Sequence, residues 1–209
     1  MKSLIIKLLR SPRTISLLLY DLILVPFWIR LIGVQSGHGC RFVGLPVVRL
    51  AQGAQINLGE DVLVNSRSDS NPAGLPHPTI LAAIGPQSCI TIGDGTGISG
   101  ASITARSSIT IGKRVLIGAG ACIWDTDFHP SDANRRREHP TRDARCAPIK
   151  IEDEVFIGAR ALILKGVNVG RCAVIGAGAI VTKNVKPGDI VAGNPARVVR
   201  SINMPTRGK

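Results

Sequence analysis

The 209-residue sequence predicts an all-β fold, a solenoid of short parallel strands. Three observations predict it: aliphatic residues recur at every sixth position, small or slim residues follow them by four positions, and aromatic side chains are scarce. A helix with 3.6 residues per turn cannot keep positions six apart on one face, and a free strand alternates by two. A six-residue unit is typical of stacked coils. The aliphatic positions are Ile92, Ile98, Ile111, Ile117, Ile151, Ile157, Ile163, Val169, Ile175 and Val181.

The composition agrees with such a fold and with one domain of ordinary size. Hydrophobic residues make up 44% of the chain and aromatic residues 3%, which excludes a disordered chain and indicates a core of Ile, Val and Ala. We divide the chain into an apolar, basic N-terminal segment (1–33), the solenoid domain (34–203) and a short tail (204–209).

The net charge of +12 is concentrated at the two ends of the chain. Residues 1–30 carry a net charge of +4 and residues 155–209 a net charge of +8, whereas the body between them is neutral. Local basic segments indicate a localised polyanion, such as a phosphorylated ligand or an anionic membrane surface. Phe156 is the one aromatic residue of the basic C-terminal part, and no nucleic-acid-binding motif is visible, so we expect no nucleic-acid partner.

The N-terminal segment is apolar from Ile15 to Val34 but is interrupted by Asp21, Pro26 and Arg30. These interruptions disfavour a transmembrane span. Two alternatives stay open: an element lying in the plane of a membrane, and a helical cap that packs on the domain or on a neighbouring subunit. The first alternative predicts peripheral association with the inner face of the membrane.

The five cysteines and four histidines form no spacing typical of a metal site, so we expect no metal. An odd number of dispersed cysteines is typical of unpaired thiols in a reducing compartment, which predicts a cytoplasmic protein. The cysteines are Cys40, Cys89, Cys122, Cys146 and Cys172.

The six-residue period breaks twice, near residues 65–86 and 124–148, and we expect both segments to leave the solenoid as loops. Long loops in a compact domain are usually functional. The second loop contains the segment WDTDFHP, in which His129 lies at the root of the loop. Imidazole is the side chain best suited to take up a proton near neutral pH.

The segments ITIGKRVLIGAGACIWDTDFHP and VFIGARALILKGVNVGRCAVIGAGAIVTKNVKPGDIVAGNPARVVRSI resemble the hexapeptide-repeat acyltransferases. The resemblance covers roughly residues 34–203 and is most specific from Ile109 to Ile202. It implies a left-handed parallel β-helix, an exception to right-handed crossovers. Within the family the chain is most similar to the sugar O-acetyltransferases, which include the galactoside, maltose and polysaccharide enzymes.

The resemblance implies that His129 is the general base and that acetyl-CoA is the acyl donor. The aspartates around His129 are then candidates to orient the imidazole or to bind the acceptor, and the other acceptor candidates lie in or near the first loop. The galactoside enzymes carry an acceptor-binding asparagine about one coil before the histidine; this sequence has none there, and Ser99 is the nearest polar residue. The acceptor candidates are Asp125, Asp127, Ser99 and His77.

The resemblance also implies that coenzyme A lies along the C-terminal coils between the subunits of a homotrimer. Lysine and arginine would pair with its phosphates, and small residues would let the pantetheine approach the backbone. The matching positions are Gly158, Ala159, Ala177, Thr182, Lys183, Arg197 and Arg200.

We therefore expect an acetyl-CoA-dependent O-acetyltransferase that acts on a saccharide or glycolipid in the synthesis of cell-surface polysaccharide. The alternatives are an N-acetyltransferase that acts on an amino sugar and a non-catalytic solenoid scaffold. A covalent route through Cys122 is chemically conceivable but is disfavoured, because a cysteine at a coil position usually packs.

Overall fold

A computed structural model describes residues 12–139 and 141–202. The predicted tail (204–209) and the first part of the N-terminal segment (1–11) lie outside the described residues. The described chain has three short α-helices, α1 (Pro12–Leu19), α2 (Val25–Leu31) and α3 (Ala133–Glu138). A π-helix (Tyr20–Leu24) joins α1 to α2, and a 3-10 helix spans Ser68–Ser70.

The strands form three sheets, and the chain visits the sheets in turn, one short strand each. Sheet A contains β1 (Gln35–Ser36), β4 (Gln55–Leu58), β7 (Cys89–Ile92), β10 (Ser108–Ile111), β13 (Ile149–Ile151) and β16 (Asn168–Val169). Sheet B contains β2 (Arg41–Val43), β5 (Leu63–Asn65), β8 (Gly97–Ser99), β11 (Leu116–Ile117), β14 (Phe156–Ile157), β17 (Val174–Ile175), β19 (Asp189–Ala192) and β20 (Arg197–Ser201). Sheet C contains β3 (Val47–Leu50), β6 (Ile80–Ala83), β9 (Ser102–Ala105), β12 (Cys122–Trp124), β15 (Leu162–Leu164) and β18 (Ile180–Val181).

These strands build the predicted left-handed parallel β-helix, which confirms the fold class. Strands of successive coils pair in parallel, so equivalent residues stack: Ile117 lies in register with Ile98 on one side and with Ile157 on the other. The exception is β20, which pairs with β19 in antiparallel orientation at the C-terminal end of the stack.

The predicted aliphatic positions form the core, and each of the ten is at most 3% exposed. Burying one such side chain stabilises the fold by about 1.5 to 3 kcal/mol. The small or slim residues four positions later are also buried, because they occupy the tight corners between sheets. Almost no large ring is needed, since each coil covers the next; Phe42 is the one aromatic side chain in the buried core of the described residues.

The N-terminal helices pack on the first coil of the solenoid. Val25 and Ile29 of α2 are 1% and 0% exposed and belong to the core. The structure thus realises the helical cap, one of the two alternatives for this segment. Among the described residues, no helix is long and apolar enough to cross a membrane.

The first break in the period is shorter than predicted. Residues 80–86 were expected in a loop, but Ile80–Ala83 forms β6 in register with β3 and β9. The loop between β5 and β6 therefore ends before Ile80. The second break lies between β12 and β13 and contains α3.

Candidate functional site

The root of the second loop is Asp125, which follows β12 directly and is fully buried. Its carboxylate accepts one hydrogen bond from the backbone N–H of Arg106 and one from that of Ser107, each 2.7 Å long. The pKa of Asp125 is raised, because the effect of burial is larger than that of these backbone hydrogen bonds, which lower it. Both carboxylate oxygens accept hydrogen bonds inside the domain, and the role of Asp125 in orienting the imidazole or binding the acceptor stays a prediction.

Arg106 also contacts the part of the same loop that returns to the solenoid. Its guanidinium donates hydrogen bonds to the backbone carbonyls of Thr141 and Arg142. Closer to the root, the outgoing and returning segments of the loop are hydrogen-bonded directly, because the N–H of Asp127 donates to the carbonyl of Arg145 at 2.9 Å. The sequence offers no signal for these contacts, since they depend on how the loop returns to the coil.

His129 leaves the loop root through a tight turn. Phe128 has a left-handed backbone (φ 60°), and its N–H donates to the hydroxyl of Thr126 at 3.1 Å. The N–H of His129 then donates to the carbonyl of Asp127 at 2.6 Å. The turn leaves the His129 side chain exposed, while the following Pro130 is buried. The imidazole at the loop root is thus accessible to a bound molecule, as a general base must be.

Asp127 lies two residues before His129 and is accessible. Its carboxylate accepts a hydrogen bond from the ammonium of Lys165, with a distance of 2.5 Å between Nζ and Oδ1. The side chain of Asp127 is 38% exposed, so it stays available to a bound molecule. Lys165 was not predicted; it lies just after β15, one coil after the loop root.

An apolar groove of about 370 Å³ lies on the outer face of sheet C, beside the loop root. At its end the rings of Trp124 and Phe128 meet edge to face, with centroids 5.3 Å apart. The indole N–H of Trp124 donates to the hydroxyl of Ser102 at 3.1 Å. The groove continues across β9 and β6 to β3. Its lining residues are Val47, Arg49, Ile80, Ala82, Ile84, Ser102, Thr104, Trp124 and Phe128.

A second, polar cleft of about 290 Å³ begins at Pro130, the residue after His129. Asp132, one of its lining residues, caps α3 by accepting a hydrogen bond from the backbone N–H of Arg135 at 2.9 Å. The cleft is lined by Pro130, Ser131, Asp132, Arg135, Asp143 and Arg145. His129 is therefore flanked by an apolar groove and by a cleft with charges of both signs.

Ser99 and His77 lie together, but at the other end of sheet C. A Cβ atom on Gly100, the residue after Ser99, would lie 2.8 Å from the carbonyl oxygen of His77. This corner precedes β9 and β12, whereas His129 follows β12. The strand between them separates the two places by about 13 Å, at 3.3 Å per residue. Within one protomer these acceptor candidates therefore do not converge on His129.

The seven predicted coenzyme A positions lie in three places. Gly158, Ala159 and Ala177 are at the corner from sheet B to sheet C, where a Cβ atom on Gly158 would lie 2.5 Å from the nitrogen of Ala177. Thr182 and Lys183 are exposed at the next corner, after β18. The remaining two, Arg197 and Arg200, are exposed on β20. One protomer therefore presents these positions on separate edges.

Within residues 12–139 and 141–202 no group of three His, Cys, Asp or Glu side chains is placed to hold a metal ion. The candidate site consists of His129, Asp127, the apolar groove and the polar cleft.

Comparison with known proteins gives one family match. Residues 108–123 and 148–183 match the family model described as the hexapeptide repeat of succinyl-transferase. A curated relative, 2,3,4,5-tetrahydropyridine-2,6-dicarboxylate N-acetyltransferase from Staphylococcus aureus (strain bovine RF122 / ET3-1), is 44% identical over 91 residues. The match covers 44% of this chain and 32% of the relative, so the chain spans about a third of that relative's length.

Two solved structures are similar over more of the chain. A hexapeptide-repeat containing acetyltransferase from Vibrio cholerae O1 biovar eltor, complexed with acetyl coenzyme A, is 31% identical with a TM-score of 0.56. The match covers 73% of each chain. A galactoside acetyltransferase in complex with coenzyme A is 32% identical with a TM-score of 0.50, and the match covers 58% of this chain and 62% of that one.

Proposed function

The chain belongs to the hexapeptide-repeat acyltransferase family, and on that premise we propose that it transfers an acetyl group from acetyl-CoA to a hydroxyl group of a saccharide. The observation that carries the proposal is the position of His129. It stands exposed on a rigidly held loop root, between an apolar groove and a polar cleft. Its chain neighbours Phe128 and Pro130 line the groove and the cleft, so an acceptor held in either place would lie beside the loop root.

In the proposed reaction, His129 accepts the proton of the acceptor hydroxyl while the oxygen attacks the thioester carbonyl carbon. The negative charge that develops on the carbonyl oxygen is stabilised by a backbone N–H of the coil. The carbon–sulfur bond then breaks, and the imidazolium returns the proton to the leaving thiolate. The acetyl group thus passes directly to the acceptor, and the reaction needs no covalent enzyme intermediate.

Asp127 is the acidic residue near His129 that we propose for acceptor binding. Its carboxylate has one lone-pair direction occupied by Lys165 and can accept a further hydrogen bond from a sugar hydroxyl. We retain Ser99 and His77 as candidates for contact with an acceptor bound to a neighbouring subunit, because both lie away from His129 in their own protomer.

Coenzyme A carries a 3′-phosphate and a diphosphate, and the exposed Lys183, Arg197 and Arg200 offer matching charges. Gly158, Ala159, Ala177 and Thr182 would line the path of the pantetheine. Because these groups occupy separate edges of one protomer, we propose that the edges of two subunits meet, in a homotrimer.

A difference between the outer faces of sheets A and B supports this assembly. Sheet A exposes polar residues such as Thr91 and Thr110. Sheet B instead exposes Leu116 and Phe156, which are 57% and 47% exposed and lie in register. Adjacent apolar side chains at these exposures are typical of a surface that another subunit covers.

N-acetylation of an amino sugar is the second candidate, and the 44% identical relative, an N-acetyltransferase by name, favours nitrogen as the acceptor atom. For the setting we propose the cytoplasmic face of the membrane during synthesis of cell-surface polysaccharide, with a saccharide or glycolipid as acceptor. The third hypothesis, a non-catalytic scaffold, would apply if no acceptor is acetylated.

The test is the release of free thiol from acetyl-CoA with a panel of hydroxyl and amine acceptors, followed by mass spectrometry of the products. We expect His129→Ala to lower the rate by about 10²- to 10⁴-fold. His139→Ala is the matched control, because His139 also precedes a proline but lies exposed at the end of α3. Full activity of His129→Ala would overturn the proposed role, and transfer to amines alone would favour the second candidate.

A further inference from the structure

The N-terminal helices expose a continuous set of large apolar side chains, which we call the outer face. Phe27 and Leu31 are 66% and 71% exposed, although they belong to the same helix as the buried Val25 and Ile29. The segment is therefore apolar on both sides, and only one side is covered by the domain. The outer face consists of Leu18, Leu19, Leu22, Ile23, Leu24, Phe27 and Leu31.

Asp21 fixes which side of the segment faces the domain. One carboxylate oxygen accepts a hydrogen bond from the backbone N–H of Gly44 at 2.9 Å, and the other pairs with the guanidinium of Arg67 at 2.8 Å. The side chain of Asp21 is 13% exposed. The single acid of the segment is thus neutralised on the inner side, and the outer face carries no carboxylate.

Apart from Asp21, the charges on the N-terminal helices and on the first coil are positive, and carboxylates begin only with Glu60, Asp61 and Asp69 of the second coil. The first 59 residues contain seven lysines and arginines and one carboxylate, that of Asp21. Three of these cations are exposed on α2 and on the first coil, namely Arg30, Arg41 and Arg49. An apolar face at a basic end of the molecule is the chemistry that binds an anionic lipid surface.

We propose that the outer face docks in the plane of an anionic lipid bilayer. This inference rests on the membrane setting of the proposed function and deepens it, because it assigns the contact to seven named side chains. A second copy of the chain is a poorer occupant, since two such surfaces would bring their cations together.

The docked orientation also aligns the groove with the membrane. Strand β3, which contributes Val47 and Arg49 to the groove, belongs to the first coil, on which the N-terminal helices pack. From β3 the groove crosses β6 and β9 to β12, three strand spacings or about 14 Å, and ends beside His129. A glycolipid whose lipid part stays in the bilayer can therefore present its sugar along this groove.

The test is flotation of the full chain on a density gradient with two kinds of vesicle, phosphatidylglycerol mixed with phosphatidylcholine and phosphatidylcholine alone. We expect the protein to float with the anionic vesicles. In the double variant Leu22→Glu, Phe27→Glu, the fraction of protein that floats should be at least tenfold lower than in the parent. Both side chains are more than 60% exposed, so the fold does not depend on them. The matched control is Val198→Glu, Val199→Glu, which changes two equally exposed residues of β20 at the opposite end of the solenoid.

Each outcome decides for or against the docking surface. Failure to float with anionic vesicles, or equal loss in the control variant, overturns it. A halved molar mass of the Leu22→Glu, Phe27→Glu variant in light scattering, without flotation of the parent, assigns the face to a second copy instead. Acetyl transfer to a water-soluble acceptor, measured without vesicles, tests the proposed function separately.

Discussion

The backbone N–H of Arg106 donates a hydrogen bond of 2.7 Å to the carboxylate of Asp125, and this contact joins two consecutive coils at the point where the long loop begins. Ser107 donates a second bond to the same carboxylate. A carboxylate that accepts two backbone amides can replace the hydrogen bonds that β12 would have made by continuing. Asp125 thus lets the chain leave the solenoid without leaving buried amides unpaired.

Asp125→Ala is therefore expected to lower stability rather than to act on the chemistry alone. It leaves two amides without an acceptor, and we expect a loss of about 2 to 4 kcal/mol in the free energy of unfolding. The measurement is urea-induced unfolding. Asp127→Ala is the control: it removes a partly exposed ion pair with Lys165, which contributes at most about 1 kcal/mol. Equal losses in the two variants would contradict the assignment.

The corner between sheets B and C gives a second prediction. A Cβ atom on Gly158 would lie 2.5 Å from the nitrogen of Ala177 and 2.8 Å from the carbonyl oxygen of Ile175, so neighbouring coils would have to separate. We expect Gly158→Ala to cost about 3 kcal/mol or more in denaturant unfolding. Gly178→Ala should cost about 1 to 2 kcal/mol, because Gly178 has a φ of 68° but open space around it.

The same pair of variants separates packing from cofactor binding at this corner. If Gly158 serves mainly to admit the pantetheine, Gly158→Ala will unfold like the parent protein and will raise the KM for acetyl-CoA instead. A stable Gly158→Ala variant would thus refute the packing argument, and a raised KM for acetyl-CoA in that variant would support the proposed coenzyme A path.

The fold was predictable from sequence to the extent that it depends on repetition. Positions such as Ile117 and Ile157 stack in register because every coil has the same length, and a six-residue period reports that length directly. The period gave no signal for β6, because its buried Leu81, which stacks on Ile103, lies 11 positions before Ile92 and so falls outside the six-residue frame. The antiparallel β20 also lies beyond what a repeat describes.

The site was less predictable, because its geometry depends on contacts between distant residues. His129 was singled out by the family resemblance of its segment, which lies where the period breaks. The inner role of Asp125 was not predicted, since the sequence does not reveal that the amides of Arg106 and Ser107 point at it. Lys165 was missed for the same reason: its pairing with Asp127 joins residues 38 positions apart.

Cys122 provides a third prediction, directed at the covalent route. It lies in β12, two residues before Trp124, and burial raises the pKa of its thiol, which disfavours the nucleophilic thiolate at neutral pH. We expect Cys122→Ala to retain acetyl transfer within about twofold. Intact-protein mass spectrometry during turnover should show no acetylated enzyme; an acetylated form that disappears in Cys122→Ala would establish the covalent route.

The fourth prediction concerns stability at low pH. The guanidinium of Arg114, 2.6 Å from Glu154, lowers the pKa of that carboxyl, and a hydrogen bond from the thiol of Cys172 acts in the same direction. A pKa lowered in the folded state stabilises the protein above the ordinary glutamate pKa, and this contribution is lost as the pH falls through the folded-state pKa.

Melting temperatures measured between about pH 2 and pH 7 test this sign. Glu154→Gln should melt below the parent protein near neutrality, and the two curves should converge at the acid end. Glu138→Gln, on the exposed last turn of α3, is the control and should follow the parent throughout. A Glu154→Gln curve that runs parallel to the parent curve down to the lowest pH would contradict the prediction.

The fifth prediction follows the groove from His129 to the first coil. Val47 is 40% exposed and lines the groove at the end that faces the proposed bilayer contact, three strands away from β12. A charge placed there should hinder an acceptor that carries a lipid but should not reach one confined to the loop root. We expect Val47→Asp to raise the KM for a glycolipid acceptor about tenfold, since it removes one apolar contact and adds a charge. The KM for acetyl-CoA and for a short water-soluble saccharide should stay unchanged.

Thr91→Asp, on the exposed outer face of sheet A, is the control. An equal rise for the glycolipid and the short acceptor would mean that the whole groove, and not only its end at His129, holds the sugar.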